Sequence, residues 1–174
     1  MRGIQLALIG IVCAMAVGCG QPNPQRPSRR MGQPQVDTTA LNLMKFNQRM
    51  REEADKTLQA KAQRDPNERY ALYQWGAWIH VIEPGNEEAG KPELGKECEL
   101  HMRIYSLDGH LYCDDQRTVT LAKYELPVAV EWNVAEWYHG AKLKMLVPWY
   151  SAYGIQGTDA IPPYENVMIE LDIK

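Results

Sequence analysis

Trp149, Tyr150, Tyr153 and Ile161 are bulky side chains set in a stretch that also carries Pro148, Gly154, Gly157, Pro162 and Pro163. A flexible linker would not carry side chains of that size. A loop folded over a concave surface would line it with them, and so would a loop whose aromatics belong to the core. The chemistry open to such a lining is non-covalent: apolar and aromatic contact, with few polar groups to orient a ligand. Other reactive residue types are scattered. His80, His101, His110 and His139 share no ligand-like spacing with one another or with Cys98 and Cys113, so no metal site and no cofactor is expected. No Ser-His-Asp arrangement stands out.

The elements that must hold this loop are readable from alternation. Leu143, Met145 and Val147 alternate with Lys142 and Lys144 before it, and Val167, Ile169, Leu171 and Ile173 alternate with Glu170, Asp172 and Lys174 after it. Both segments predict half-buried strands. Cys98, Leu100, Met102 and Ile104 predict another, and Asp108-Gly109 a tight hairpin after it, with Leu111, Tyr112 and Cys113 returning. Residues 75–82 read as a first strand, 67–74 as a polar connection and 119–126 as a further extended piece. Residues 128–138 read as a short helix with Val130, Val134 and Trp137 inward. Antiparallel strands with one short helix on a face make an α+β domain over residues 67–174.

Ahead of that domain the composition changes. From Tyr70 onward 8 Lys+Arg stand against 16 Asp+Glu, whereas residues 20–69 hold 10 against 6. The mildly acidic balance of the whole chain gives no reason to expect a nucleic-acid partner. Arg2 precedes an apolar run over residues 4–17 that is too short to span a bilayer and ends in small residues, which predicts a leader over residues 1–18. Residues 19–37 carry Pro22, Pro24, Pro27 and Pro34 among polar and basic residues and predict a disordered tether. Residues 38–66 predict an amphipathic helix, with Phe46, Met50, Ala54, Leu58 and Ala62 on one stripe and Asp65-Pro66 as the stop. That stripe would pack on the domain or on a second copy, giving a homodimer. Cys98 and Cys113 are expected as two separate thiols.

Two resemblances add to this. Gly18-Cys19 after the apolar run resembles the lipobox of bacterial lipoproteins, although Ala16 stands where Leu is preferred. This implies acylation of Cys19, attachment to the outer membrane facing the periplasm, and a membrane held through several acyl chains. The order Ala152-Tyr153-Gly154, then Ile161-Pro162-Pro163, then a closing strand resembles the C-terminal half of FKBP-type peptidyl-prolyl isomerases. With the anchor and the helix, the chain is similar to the gliding-motility-associated isomerase lipoproteins. The resemblance implies an antiparallel sheet wrapped on one short helix and a proline-containing polypeptide as substrate. It implies Tyr153 and Tyr112 as the catalytic residues, with Met102, Cys113, Val130, Ile161, Ile169 and Trp149 binding the substrate.

Several of these depart from the family pattern. Met102 stands for a Tyr, Cys113 for an Asp (with Asp114 adjacent), Val130 for the floor Trp (with Trp132 two residues on) and Ile169 for an aromatic. Pro127 stands where a backbone N–H meets the peptide, and proline has none. An isomerase, a binding module of the same fold with weakened catalysis, and a structural lipoprotein therefore all remain open.

Overall fold

Alternating strands need a partner for each apolar face, and this chain supplies a different helix to each. The computed structural model describes residues 38–64 and 66–174. The leader, Cys19 and the Pro-rich tether lie outside the described residues. Helix α1 spans Thr38–Ala62. Strands β1 (Tyr70–Leu72), β2 (Trp78–Pro84), β3 (Glu97–Ser106) and β4 (Leu111–Thr120) follow. Helix α2 (Val128–Val134), β5 (Ala141–Val147) and β6 (Val167–Ile173) complete the order. The six strands form one sheet in the order β1-β2-β5-β6-β3-β4, antiparallel throughout. The fold is α+β, as the alternation required.

The inner face of the sheet carries Leu100, Met102 and Ile104 of β3, Leu143, Met145 and Val147 of β5, and the apolar positions of β6. All join Ala129, Val130 and Val134 of α2 in one buried core. The outer face carries the intervening residues, including His101, Arg103, Lys142 and Lys144. There α1 settles on the apolar exceptions: Leu58 and Ala62 pack with Leu146 against Trp78, Tyr70, Leu107 and Met168. Full burial of a side chain such as Leu58, 0 % exposed, contributes about 1.5–3 kcal/mol. The helical stripe thus finds its partner on its own domain, and Thr38–Lys174 forms one compact unit. Its N-terminal half does not share this burial. Leu43, Met44 and Phe46 stay exposed.

Four elements differ from expectation, the first being α2, which ends at Val134 and not at residue 138. Trp75 lies in a left-handed conformation (φ 61°) inside a 3-10 turn, so β2 starts at Trp78. The polar connection contains β1, which exists by pairing Tyr70 with His80 and Leu72 with Trp78. Residues 111–120 are one continuous strand, and residues 121–127 turn back, with Ala122 and Tyr124 at φ 66° and 58°. Cys98 and Cys113 are free thiols on opposite stretches of the β3–β4 ladder, opposite Val119 and Ile104 respectively.

Candidate functional site

The loop between β5 and β6 is held in shape by its own hydrogen bonds. A 3-10 turn, Trp149–Ser151, opens it. Gly154 N donates to Trp149 O (2.8 Å), Gly157 N to Tyr153 O (3.2 Å), Thr158 N to Ile161 O (2.8 Å) and Tyr164 N to Gly154 O (3.2 Å). The Thr158 hydroxyl oxygen accepts from Ile161 N at 3.0 Å. These bonds fold the tip back on itself and press Ile161, 3 % exposed, onto the core. Gly157 sits at φ +65°, and a Cβ there would collide with the backbone of Ile161 and Pro162.

Seven of the eight expected groove residues belong to, or pack against, the core that fills the inner face of the sheet. Met102, Val130, Ile161 and Ile169 belong to the core under the loop, and Tyr112, Cys113 and Tyr153 pack on it from the solvent side. Val130, and not Trp132, faces this core. The burial is uneven in a way the sequence did not reveal. Met102, Val130 and Ile169 are 2 %, 0 % and 0 % exposed, so they form a closed floor. The rim that meets solvent is Tyr112, Cys113 and Tyr153.

Trp149 is placed elsewhere. Its Nε1 donates to Met50 O at 3.3 Å, and its ring meets those of Tyr150 and Tyr164. It follows Pro148 and opens the 3-10 turn, where strand alternation no longer holds, and there it turns toward α1.

Burial acts strongly on Tyr153. Its hydroxyl makes no hydrogen bond to another described residue, although the side chain is half-buried. Burial, with Cys113 and Asp115 adding and Arg117 opposing, pushes its pKa up to about 12, so the phenol is a neutral donor at neutral pH. Tyr112 is engaged: its hydroxyl donates to Glu165 Oε1 at 3.1 Å. Desolvation and that carboxylate raise its pKa.

Two further side chains share the rim's face. Cys113 lies opposite Ile104, Asp115 opposite Met102 and Arg117 opposite Leu100, so all three share the inner face of edge strand β4. Asp115 and Arg117 pair at 3.2 Å, and an Arg117 amino group also donates to Glu125 O at 3.2 Å. The sequence signal was a period of two running from Cys113 to Val119. It is masked by the run of charge.

Pro127 is buried at the start of α2. Its carbonyl accepts from Val130 N and Glu131 N at 2.9 and 3.0 Å, and it offers no donor. Among the described residues no group of three or more His, Cys, Asp or Glu is arranged to hold a metal ion. Open clefts of about 540 and 390 Å³ lie on the α1 side, between its C-terminal end and the β3–β4 hairpin, sharing Lys61, Arg64, Leu107 and Asp108.

No family model matches the chain, and no curated protein sequence does. Solved structures do. A peptidyl-prolyl cis-trans isomerase from Pseudomonas syringae pv. tomato superposes with a TM-score of 0.59 at 20% identity, covering 70% of this chain and 89% of that one. The N-terminal domain of FKBP42 from Arabidopsis thaliana gives 0.52 at 22% identity, covering 59% and 87%. The fold is FKBP-like. Within that FKBP-like frame the Tyr153 loop lies near enough to β4 for Cys113, Arg117 and Asp115 to act on the Tyr153 phenol.

Proposed function

We propose that this chain binds X-Pro segments of polypeptides across the Tyr153–Tyr112–Cys113 rim and catalyses their cis–trans isomerisation. The observation that carries the reading is the Tyr153 hydroxyl: half-buried, neutral, without a hydrogen-bond partner among the described residues, and set beside an apolar floor. Rotation about an X-Pro bond is slow because amide resonance must be broken, at a barrier of roughly 18–20 kcal/mol. No nucleophile is required. A dry surface that fits the twisted amide better than the planar one lowers that barrier. Tyr153 donates to the carbonyl whose charge changes during rotation, while the prolyl ring rests against Tyr112 and Cys113, which meet solvent beside it.

The magnitude is modest. One neutral hydrogen bond contributes about 1 kcal/mol, and a tenfold rate change takes about 1.4 kcal/mol. The Tyr153 hydrogen bond alone therefore supports an enhancement of roughly fivefold. The test is isomerisation of a short X-Pro peptide by the full-length chain. Rates above buffer that fall several-fold in Tyr153→Phe are expected, and rates equal to buffer would overturn the reading.

A second reading, a peptide-binding module without turnover, is favoured by the closed floor of Met102, Val130 and Ile169 and by Pro127. It predicts slowed aggregation of an unfolded client with no catalysis. Cellular placement belongs to the same proposal. The Gly18-Cys19 pattern supports an acylated Cys19 and an outer-membrane lipoprotein acting in the periplasm, which the mass of the mature N-terminal peptide would test. The exposed Leu43, Met44 and Phe46 support a homodimer through α1, which sedimentation would test.

A further inference from the structure

α1 lies on the outer face of the sheet, yet its middle turns reach both ends of the Tyr153 loop. At the start of the loop, Trp149 Nε1 donates to Met50 O at 3.3 Å. The Tyr150 hydroxyl donates to Asp55 Oδ1 at 2.6 Å, and the Arg51 guanidinium lies 4.3 Å from the Tyr150 ring centroid. At the other end, the Tyr164 hydroxyl donates to Asn47 Oδ1 at 3.1 Å. The Tyr164 ring meets Phe46 edge-on at 5.9 Å and Trp149 at 4.8 Å. Leu58 and Ala62 would attach the helix to the sheet without any of these.

Tyr164 is the informative residue. Its φ is 59°, a left-handed conformation that a tyrosine adopts only when its surroundings impose it. Its own N–H then donates to Gly154 O, and Gly154 is the neighbour of Tyr153. A short physical chain thus runs from Asn47 through Tyr164 to Gly154 and Tyr153. Between its ends the loop's own hydrogen bonds fold the tip, and the contacts with α1 at its two ends fix how that folded tip is held against the domain.

We infer that α1 is the positioning element of the Tyr153 loop, with Asn47 the principal positioning residue and Asp55 the second, acting through Tyr164 and Tyr150. The inference rests on Tyr153 being the working residue of the site. None of the α1 residues touches the substrate. They fix where the Tyr153 hydroxyl stands.

The test uses the full-length chain with Asn47→Ala and Asp55→Ala. Asn47→Asp and Asp55→Asn keep an acceptor oxygen and serve as rescuing variants. Amide hydrogen exchange is read first. In Asn47→Ala the amides of Gly154, Gly157 and Tyr164 should exchange about tenfold faster or more, while those of β3, β5 and β6 stay unchanged. Asn47→Asp should restore protection. A second readout is the Tyr153 phenol, whose pKa should fall from about 12 toward 10.0 as water reaches it. In isomerisation assays kcat should fall more than KM rises.

Unchanged exchange in the loop, or loss without rescue, would overturn the inference. Should a helix variant fail to fold, Tyr164→Phe, which removes the hydroxyl alone, decides by the same exchange pattern. If the wild-type chain shows no isomerisation, the functional proposal fails, while the exchange result still decides the positioning.

Discussion

Tyr153 is the residue on which the chemistry turns, and its environment makes a sign-definite statement about pH. The folded protein holds the phenol proton more tightly than the unfolded chain, about 12 against 10.0. Its contribution to stability is therefore complete below pH 10.0 and is lost as the pH rises toward about 12. Burial acts in the same direction on Tyr150 and on the Cys98 thiol. The urea midpoint should hold steady through neutral pH, begin to drop above pH 9.0 as Cys98 contributes, and drop further above pH 10.0. Tyr153→Phe should make that drop shallower. A midpoint unaffected by alkaline pH, or a Tyr153→Phe curve as steep as wild type, would show that the phenol is solvated. Asp115 and Arg117 are residues of the same rim face that the sequence hid. Charged side chains in a row read as a loop, yet an edge strand tolerates them.

At the scale of elements, what was legible follows from how much apolar alternation each strand carries. Cys98-Leu100-Met102-Ile104 and Val167-Ile169-Leu171-Ile173 alternate because one face is buried, and they emerged directly. Strand β1 did not, because three residues with mixed burial carry no period; pairing with β2 makes the strand. Trp75 reads as a strand residue by type, but its left-handed backbone excludes it from β2. The loop was recognisable by composition and its direction was not. Aromatic type does not say which side of a sheet a residue takes, so Trp149 was expected in the groove and lies under α1. Within the loop, Gly157→Ala joins a positive φ to a backbone collision. It should destabilise the chain by about 1–3 kcal/mol in urea unfolding and release Ile161 from the core. An unchanged midpoint would mean that the tip is already free.

At the scale of the molecule, one sheet separates two helices with different duties. α2 completes the core under the rim, and α1 covers the outer face and reaches around to both ends of the loop. The amphipathic stripe predicted this helix but left its partner open between the domain and a second copy. Burial of Ala54, Leu58 and Ala62 answers for the C-terminal half. Leu58→Ala should cost about 2–5 kcal/mol in urea unfolding, as for other fully buried leucines. A cost under about 0.5 kcal/mol, the range of ordinary surface changes, would mean that the helix is not docked. The FKBP-like frame was legible because the order of strands and short helix along the chain, with the Ile161-Pro162-Pro163 segment, resembles that family. The closed floor was not legible, because solvent access depends on neighbours from every element at once.

The central claim is that a proline-containing chain is gripped at the Tyr153 rim. The most direct measurement is an NMR titration of the full-length protein with a short X-Pro peptide, and with the same peptide carrying alanine for proline. The account predicts shift changes centred on Tyr153, Tyr112, Cys113 and Ile161 that weaken or vanish with the alanine peptide. Changes confined to the clefts beside Lys61 and Arg64, or none with either peptide, would contradict it.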